Sequence, residues 1–109
     1  MAEVLTIDKL RNRIDIIDEQ LVRLLNVRVA CAVEIGEIKH GTGQAVYQPD
    51  REALVLEGVR RSATELGGPL TAEALVRIFE RIIDEARRAE RHASQRRGGQ
   101  RQPAEGSGE

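Results

Sequence analysis

Residues 7–40 read IDKLRNRIDIIDEQLVRLLNVRVACAVEIGEIKH, and this stretch decides the fold. Apolar side chains recur at alternating steps of three and four residues, which is the spacing of one face of a long α-helix. This apolar stripe consists of Ile7, Leu10, Ile14, Ile17, Leu21, Leu24, Cys31, Ile35 and Ile38. Arg28 is its single interruption. Because a guanidinium is permanently charged, Arg28 on a buried face requires an anion, either a carboxylate such as that of Glu34 or a negatively charged ligand.

Composition bounds the class of protein. The chain has 109 residues and two aromatic residues, and it is rich in Ala, Leu, Ile, Val, Glu and Arg, so a small helical domain with a thin core is expected. The net charge is −1, which does not favour binding of nucleic acid by the domain as a whole. One cysteine excludes an intrachain disulfide, and neither a signal peptide nor a membrane-spanning segment is recognisable. We expect a soluble, cytoplasmic protein that does not contact membranes.

Capping residues and glycines divide the chain into three helices and a tail. Thr6 is a suitable N-cap for the first helix, which is predicted to end near His40, where a Gly-Thr-Gly sequence follows. The second helix is predicted to begin at Pro49 and to end at residues 67–69, Gly-Gly-Pro. Thr71 is predicted to cap the third helix, whose core face is Leu75, Ile78, Phe79, Ile82, Ile83 and Ala86. The prediction is an all-α domain over residues 1–91 and a disordered polar tail over residues 92–109.

The length of the first helix predicts a dimer. A helix of about 33 residues is about 50 Å long, and two shorter helices cannot cover an apolar stripe of that length. Heptad-like spacing commonly pairs helices across subunits. We therefore expect an intertwined homodimer in which the long helices pack against each other. The alternative is a monomeric three-helix bundle with a protruding helix end.

A small set of polar residues is placed to join Arg28 around a ligand. Lys39 follows it by eleven residues, about 16 Å along the same helix. Arg51 and Glu52 open the second helix after the loop, and Glu90 continues the face of the third helix. Arg11 precedes Arg28 by about 25 Å on the same helix, so it can reach the same small ligand only from a partner chain. Taken singly, each of these residues also fits an ordinary surface or helix-end position.

Six short motifs carry a resemblance to a known family. They are LRNRID at 10–15, DEQL at 18–21, LLNVR at 24–28, VEIGEIK at 33–39, YQPDRE at 47–52 and FERII at 79–83. Their order, their spacing and the loop length resemble the all-helical class of chorismate mutases over about residues 5–91. That resemblance implies the conversion of chorismate to prephenate by an intramolecular Claisen rearrangement, the branch step toward phenylalanine and tyrosine. The implied reaction needs neither metal nor cofactor.

The resemblance also implies a role for each polar residue. Arg28 would bind one substrate carboxylate, while Arg51 and Arg11 of the partner subunit would bind the other. Lys39 would donate to the ether oxygen, and Glu52 would accept from the 4-hydroxyl group. Glu90 would face the ether oxygen, where a carboxyl group helps only when it is protonated.

Two departures from the family pattern keep alternatives open. Gln48 stands where the pattern usually has Asp near the 4-substituent, and Ala86 stands where a Ser can support a substrate carboxylate. A related mutase acting on 4-amino-4-deoxychorismate, or a lyase acting on isochorismate, is therefore an alternative. A non-catalytic dimeric helical interaction module, in which Arg28 fixes helix register, is another. Contact of the Arg-rich stretch 87–101 with RNA or membranes is a weaker option, because no aromatic residue is present there to stack on bases.

Overall fold

The structure is a computed structural model that describes residues 4–44 and 48–107, with side chains described as far as residue 97. It contains three helices, α1 (Ile7–Thr42), α2 (Pro49–Leu66) and α3 (Ala72–Ser107), and the described residues contain no β-strand. The predicted all-α class and the order of the three helices are confirmed. The expectation that both later helices are shorter than the first holds for α2, with 18 residues, and is wrong for α3, which has 36 residues like α1. Tyr47, which belongs to one of the sequence motifs, lies outside the described residues.

The helix ends follow from local capping. The Thr6 hydroxyl oxygen accepts a hydrogen bond from the Lys9 amide at 3.2 Å, which satisfies one of the free amides at the start of α1. At the other end Gly43 adopts a φ of 74°, a left-handed conformation that glycine adopts at little cost. The Thr71 hydroxyl accepts from the Ala74 amide at 3.1 Å and caps α3 in the same way. The predicted starts of all three helices are therefore correct to within a residue.

Helix α3 is longer than the sequence predicted. Residues 92–97, expected to be irregular, continue the helix, and the helical backbone extends to Ser107. Ala, Gln and Arg in this stretch are good helix formers, and extending an existing helix avoids the cost of nucleation. Arg97 also makes an ion pair with Glu37 of α1, with a nitrogen–oxygen distance of 3.3 Å. The expectation of an irregular chain from residue 92 is corrected accordingly, while the division of the chain at residue 91 into a domain and a tail stays a prediction.

Helix α3 is the packing partner of both other helices. It packs against α1 and α2, whereas within the described residues no Cα atom of α1 lies within 8 Å of a Cα atom of α2. Phe79 lies near Arg28 and Glu90 lies near Gly36, so α3 runs in the same direction as α1. Arg87 binds Glu52 of α2, so the C-terminal half of α1, the start of α2 and the middle of α3 meet in one region.

The single chain has almost no core. Among the described residues the buried apolar side chains are Val76 and Ala86, 8% and 5% exposed, and α1 contains no buried residue. The apolar stripe is instead open to solvent over much of its length in a molecule that measures 75 × 31 × 19 Å. Its exposed members include Ile7, Leu10, Ile14, Ile17, Leu21, Leu24, Ile35 and Ile38. In the part of the chain that the structure describes, none of the helices has the length and apolar character needed to cross a bilayer.

Candidate active site

A cavity of about 670 Å³ opens between the C-terminal half of α1, the start of α2 and the middle of α3. Its size falls within the usual range for small-molecule sites. The predicted site residues that line it are Arg28, Lys39, Gln48, Arg51, Glu52 and Glu90. Arg11 does not line it and is exposed on the N-terminal half of α1, as its distance from Arg28 predicts.

Arg28 faces the cavity, and no described carboxylate neutralises it. Its side chain is half-buried, and its guanidinium carbon lies 5.9 Å from the centre of the Phe79 ring, a cation–π distance. Among the described residues no carboxylate forms an ion pair with Arg28, and the Glu34 alternative is therefore not realised. An aromatic face attracts the cation but leaves its positive charge available to an anion in the cavity.

Lys39 is held by a neutral partner. Its Nζ donates a hydrogen bond to the Gln48 Oε1 atom at 2.7 Å, which links the end of α1 to the residue before α2. Because the ammonium group can only donate, the amide oxygen of Gln48 must face Lys39, and the amide nitrogen remains a donor. An aspartate at position 48 would pair with the ammonium charge, whereas Gln48 orients the ammonium and leaves its charge intact.

Glu52 is bound by an arginine that the sequence analysis missed. Arg87 Nε donates to Glu52 Oε2 at 3.1 Å and Arg87 Nη2 donates to Glu52 Oε1, while Arg87 Nη1 donates to Asp84 Oδ1 at 2.6 Å. Arg87 precedes Glu90 by three residues, so helical spacing places both on one face of α3. That spacing was the available signal, and it was hidden because Arg87 also begins an Arg-rich stretch of the sequence.

Glu90 lies against α1 where that helix has a glycine. A Cβ atom added at Gly36 would be 3.7 Å from Glu90 Cγ and 3.9 Å from Glu90 Oε2, which is ordinary van der Waals contact and shows how close the carboxyl group lies to α1. Burial raises the pKa of Glu90; nearby Lys39, Arg87 and Arg91 oppose that rise, and Glu52 adds to it. The net direction is upward, so Glu90 holds its proton to a higher pH than an ordinary glutamate does.

Positive charge dominates the lining of the cavity. The cations are Arg28, Lys39, Arg51, Arg87, Arg91 and Arg97, and the carboxylates are Glu52 and Glu90. Such an excess of positive charge attracts small anions. No group of three or more His, Cys, Asp or Glu residues suited to a metal ion occurs in the described part of the chain.

Comparison with known proteins identifies the family. Residues 10–91 match the family model described as chorismate mutase type II. The chain belongs to this family. A bifunctional chorismate mutase/prephenate dehydratase of Neisseria gonorrhoeae is 47% identical to this member over 90 residues, which are 79% of this chain and 24% of that protein. The chain thus spans about a quarter of the length of that bifunctional relative.

Two proteins of more similar size agree with this chorismate mutase family assignment. A chorismate mutase of Methanocaldococcus jannaschii is 26% identical over 76 residues, covering 70% of this chain and 75% of that protein. The structure of a chorismate mutase (form II) from Thermus thermophilus matches with a TM-score of 0.70 and 28% identity, covering 78% of this chain and 93% of that chain. The predicted family and the predicted all-helical fold are both confirmed.

Proposed function

We propose that this chain is a chorismate mutase, which rearranges chorismate to prephenate in the cytoplasm on the route to phenylalanine and tyrosine. The observation that carries the proposal is the state of Arg28 in a member of this family. Arg28 is half-buried, lines a cationic cavity and has no carboxylate partner among the described residues. Chorismate is a dianion, and its two carboxylates supply the negative charge that the cavity lacks.

The proposed reaction is intramolecular. One carbon–oxygen bond of the substrate breaks while one carbon–carbon bond forms, and no bond to the protein is needed. The protein therefore acts by holding the side chain of the substrate over its ring and by stabilising negative charge that develops on the ether oxygen. Arg28 binds one carboxylate, and Arg51 together with the partner subunit's Arg11 binds the other.

Three further side chains face the reacting part of the substrate in this proposal. Lys39 donates a hydrogen bond to the ether oxygen, and protonated Glu90 donates a second one. Glu52 accepts a hydrogen bond from the 4-hydroxyl group. The upward shift of the Glu90 pKa supports its role as a donor, because an ionised carboxylate would repel the developing charge.

The hydrogen bond between Lys39 and Gln48 bears on the choice between chorismate and its 4-amino analogue. Lys39 donates to the Gln48 oxygen, so the amide nitrogen of Gln48 is left as a donor. A hydroxyl group can accept from that donor and donate to Glu52, whereas a protonated amino group can only donate, so chorismate alone would use both partners.

Product analysis tests the proposed activity. The purified chain is incubated separately with chorismate, isochorismate and 4-amino-4-deoxychorismate, and the products are identified by NMR. We expect prephenate from chorismate and no enzymatic product from the other two. The Lys39→Gln variant, purified in parallel, controls for spontaneous rearrangement and for contaminating enzyme. Salicylate and pyruvate from isochorismate would identify a lyase instead, and no turnover of any compound would favour the interaction module.

We further propose that the protein is a homodimer. The exposed apolar stripe of α1 supports this, because an apolar face of such length in water is costly unless a second copy covers it. The position of Arg11 supports it too, since this residue is about 25 Å from Arg28 along α1 and can join the cavity only from another chain.

Mixed dimers test the crossing of Arg11 between subunits. Arg11→Ala and Arg28→Ala homodimers are each expected to be nearly inactive. When the two variants are co-expressed, half of the dimers are mixed, and each mixed dimer has one intact site. Total activity should therefore recover to about a quarter of the parent value. Two affinity tags verify that mixed dimers have formed. If their activity does not recover, Arg11 does not contribute to the site of the neighbouring chain.

A further inference from the structure

The contact between Arg87 and Glu52 joins two helices at the wall of the cavity. Both side chains line the cavity and are largely covered, with 34% of Arg87 and 26% of Glu52 exposed. The guanidinium group donates to both oxygens of the carboxylate, an arrangement that fixes the plane and the direction of the carboxylate. Asp84 accepts from the third nitrogen of the same guanidinium and holds Arg87 from its other side.

Among the ion pairs of the described residues, this is the one in which both partners line the cavity, because Glu37, the partner of Arg97, does not line it. Arg23 with Glu19 and Arg81 with Glu85 each lie four residues apart on one exposed helix face, where such pairs contribute little. Arg87 and Glu52 are 35 residues apart in sequence and close beside the cavity. The hydrogen bonds of Arg87 therefore set the orientation of a carboxylate that lines the cavity.

We infer that Arg87 is a positioning residue that holds the Glu52 carboxylate in the orientation needed to accept a hydrogen bond from the 4-hydroxyl group of the substrate. The inference rests on the proposed function and adds to it a residue that the family resemblance did not supply. Each carboxylate oxygen has two lone pairs, so Glu52 can accept from Arg87 and from a substrate hydroxyl at the same time. An unrestrained glutamate would lose side-chain freedom on binding, and Arg87 removes that cost beforehand.

The charge of Arg87 also reaches Glu90. The groups that act on Glu90 are Lys39 from α1, Glu52 from α2, and Arg87 and Arg91 from α3. Since Arg87 lowers the pKa of Glu90, its removal should move that pKa further upward. This change in the pH profile reports the charge of Arg87, so the orientation of Glu52 needs a separate test.

Three variants separate orientation from charge. Arg87→Gln removes both, and Arg87→Lys keeps the charge but lacks the planar fork that fixes the carboxylate orientation. Arg81→Gln removes an exposed arginine of the same helix as a control. For Arg87→Gln we expect kcat/KM for chorismate to fall about tenfold, with the alkaline decline of activity moved to higher pH. For Arg87→Lys we expect a similar loss of kcat/KM, but with the alkaline decline of activity near the pH at which it occurs in the parent. For Arg81→Gln we expect parent behaviour.

A substrate analogue and a second substitution link the effect to Glu52. With an analogue whose 4-hydroxyl is methylated, Arg87→Gln should change kcat/KM less than about twofold, because no hydroxyl donor remains for Glu52. Adding Arg87→Gln to a Glu52→Gln variant should likewise cause little further loss. Losses that multiply in the double variant, or equal losses with both substrates, would overturn the inference.

The outcomes also distinguish this inference from the proposed function. A parent protein that converts chorismate, with an Arg87→Gln variant of equal activity, overturns only the role of Arg87. A parent that produces no prephenate overturns the proposed function and this inference together. If circular dichroism shows that Arg87→Gln does not fold, Arg87→Lys decides the question. Because this variant keeps the charge, we expect its kcat/KM to fall for chorismate and to change little for the methylated analogue.

Discussion

The Arg28→Leu variant is expected to lose about a hundredfold to a thousandfold in kcat/KM for chorismate while its melting temperature does not fall. The loss follows because Arg28 is the cation expected to bind one substrate carboxylate, and removing one partner of a desolvated charge pair costs about 2–5 kcal/mol. Steady-state kinetics at varied chorismate concentration, together with thermal unfolding followed by circular dichroism, measure both quantities.

The stability of the same variant follows from the apolar stripe. Leucine at position 28 completes the three–four spacing of α1, and burial of an aliphatic side chain contributes about 1.5–3 kcal/mol when it is full. The contact that is lost, a cation–π interaction with Phe79, contributes about 0.5–1 kcal/mol at a partly exposed position. Arg28 is thus expected to be retained for ligand binding at no gain in stability.

Arg23→Leu is the matched control for that experiment. Arg23 lies on the same helix, is exposed and pairs with Glu19 at 2.9 Å, away from the cavity. The same substitution there should leave kcat/KM within about twofold of the parent. Equal losses at positions 23 and 28, or an active Arg28→Leu enzyme, would contradict the proposed role of Arg28.

The sequence was sufficient for those features that depend on local spacing. Thr6, Gly43 and Thr71 act within a few residues of themselves, so the capping pattern alone located the starts of α1 and α3 and the end of α1 to within about two residues. Arg28 and Lys39 share one helix, and their separation is set by helix geometry. Both could therefore be placed beside a common cavity before the fold was known.

Features that depend on contacts between helices were not predictable in the same way. Arg87 meets Glu52 across 35 residues of sequence, and no short-range pattern specifies which helix faces meet. The continuation of α3 beyond residue 91 was missed for a related reason. Apolar periodicity stops there, but helix propagation and the contact of Arg97 with Glu37 do not depend on an apolar face.

Glu90 is expected to make the activity fall as pH rises. Burial raises the pKa of Glu90, and the proposed role at the ether oxygen requires the protonated form. Activity should therefore be highest below that pKa and should fall about tenfold per pH unit above it, as one required proton is lost. In Glu90→Gln the amide donates at every pH, so kcat/KM should be nearly constant between about pH 5 and about pH 9, a range in which the substrate carboxylates stay ionised.

The same shift predicts a pH-dependent difference in stability. The pKa of Glu90 is higher in the folded state than in the unfolded state. Its favourable contribution to the free energy of unfolding is therefore complete at a pH below the unfolded-state pKa, and it is lost as the pH rises through the folded-state pKa. Glu90→Gln should therefore melt above the parent at alkaline pH and close to it in acid. Glu80→Gln, on an exposed part of α3, is the control and should keep the parent profile. If kcat/KM of Glu90→Gln depends on pH as it does in the parent, Glu90 does not donate to the ether oxygen. If the melting temperatures of the two proteins then still differ at alkaline pH, the role of Glu90 is only structural.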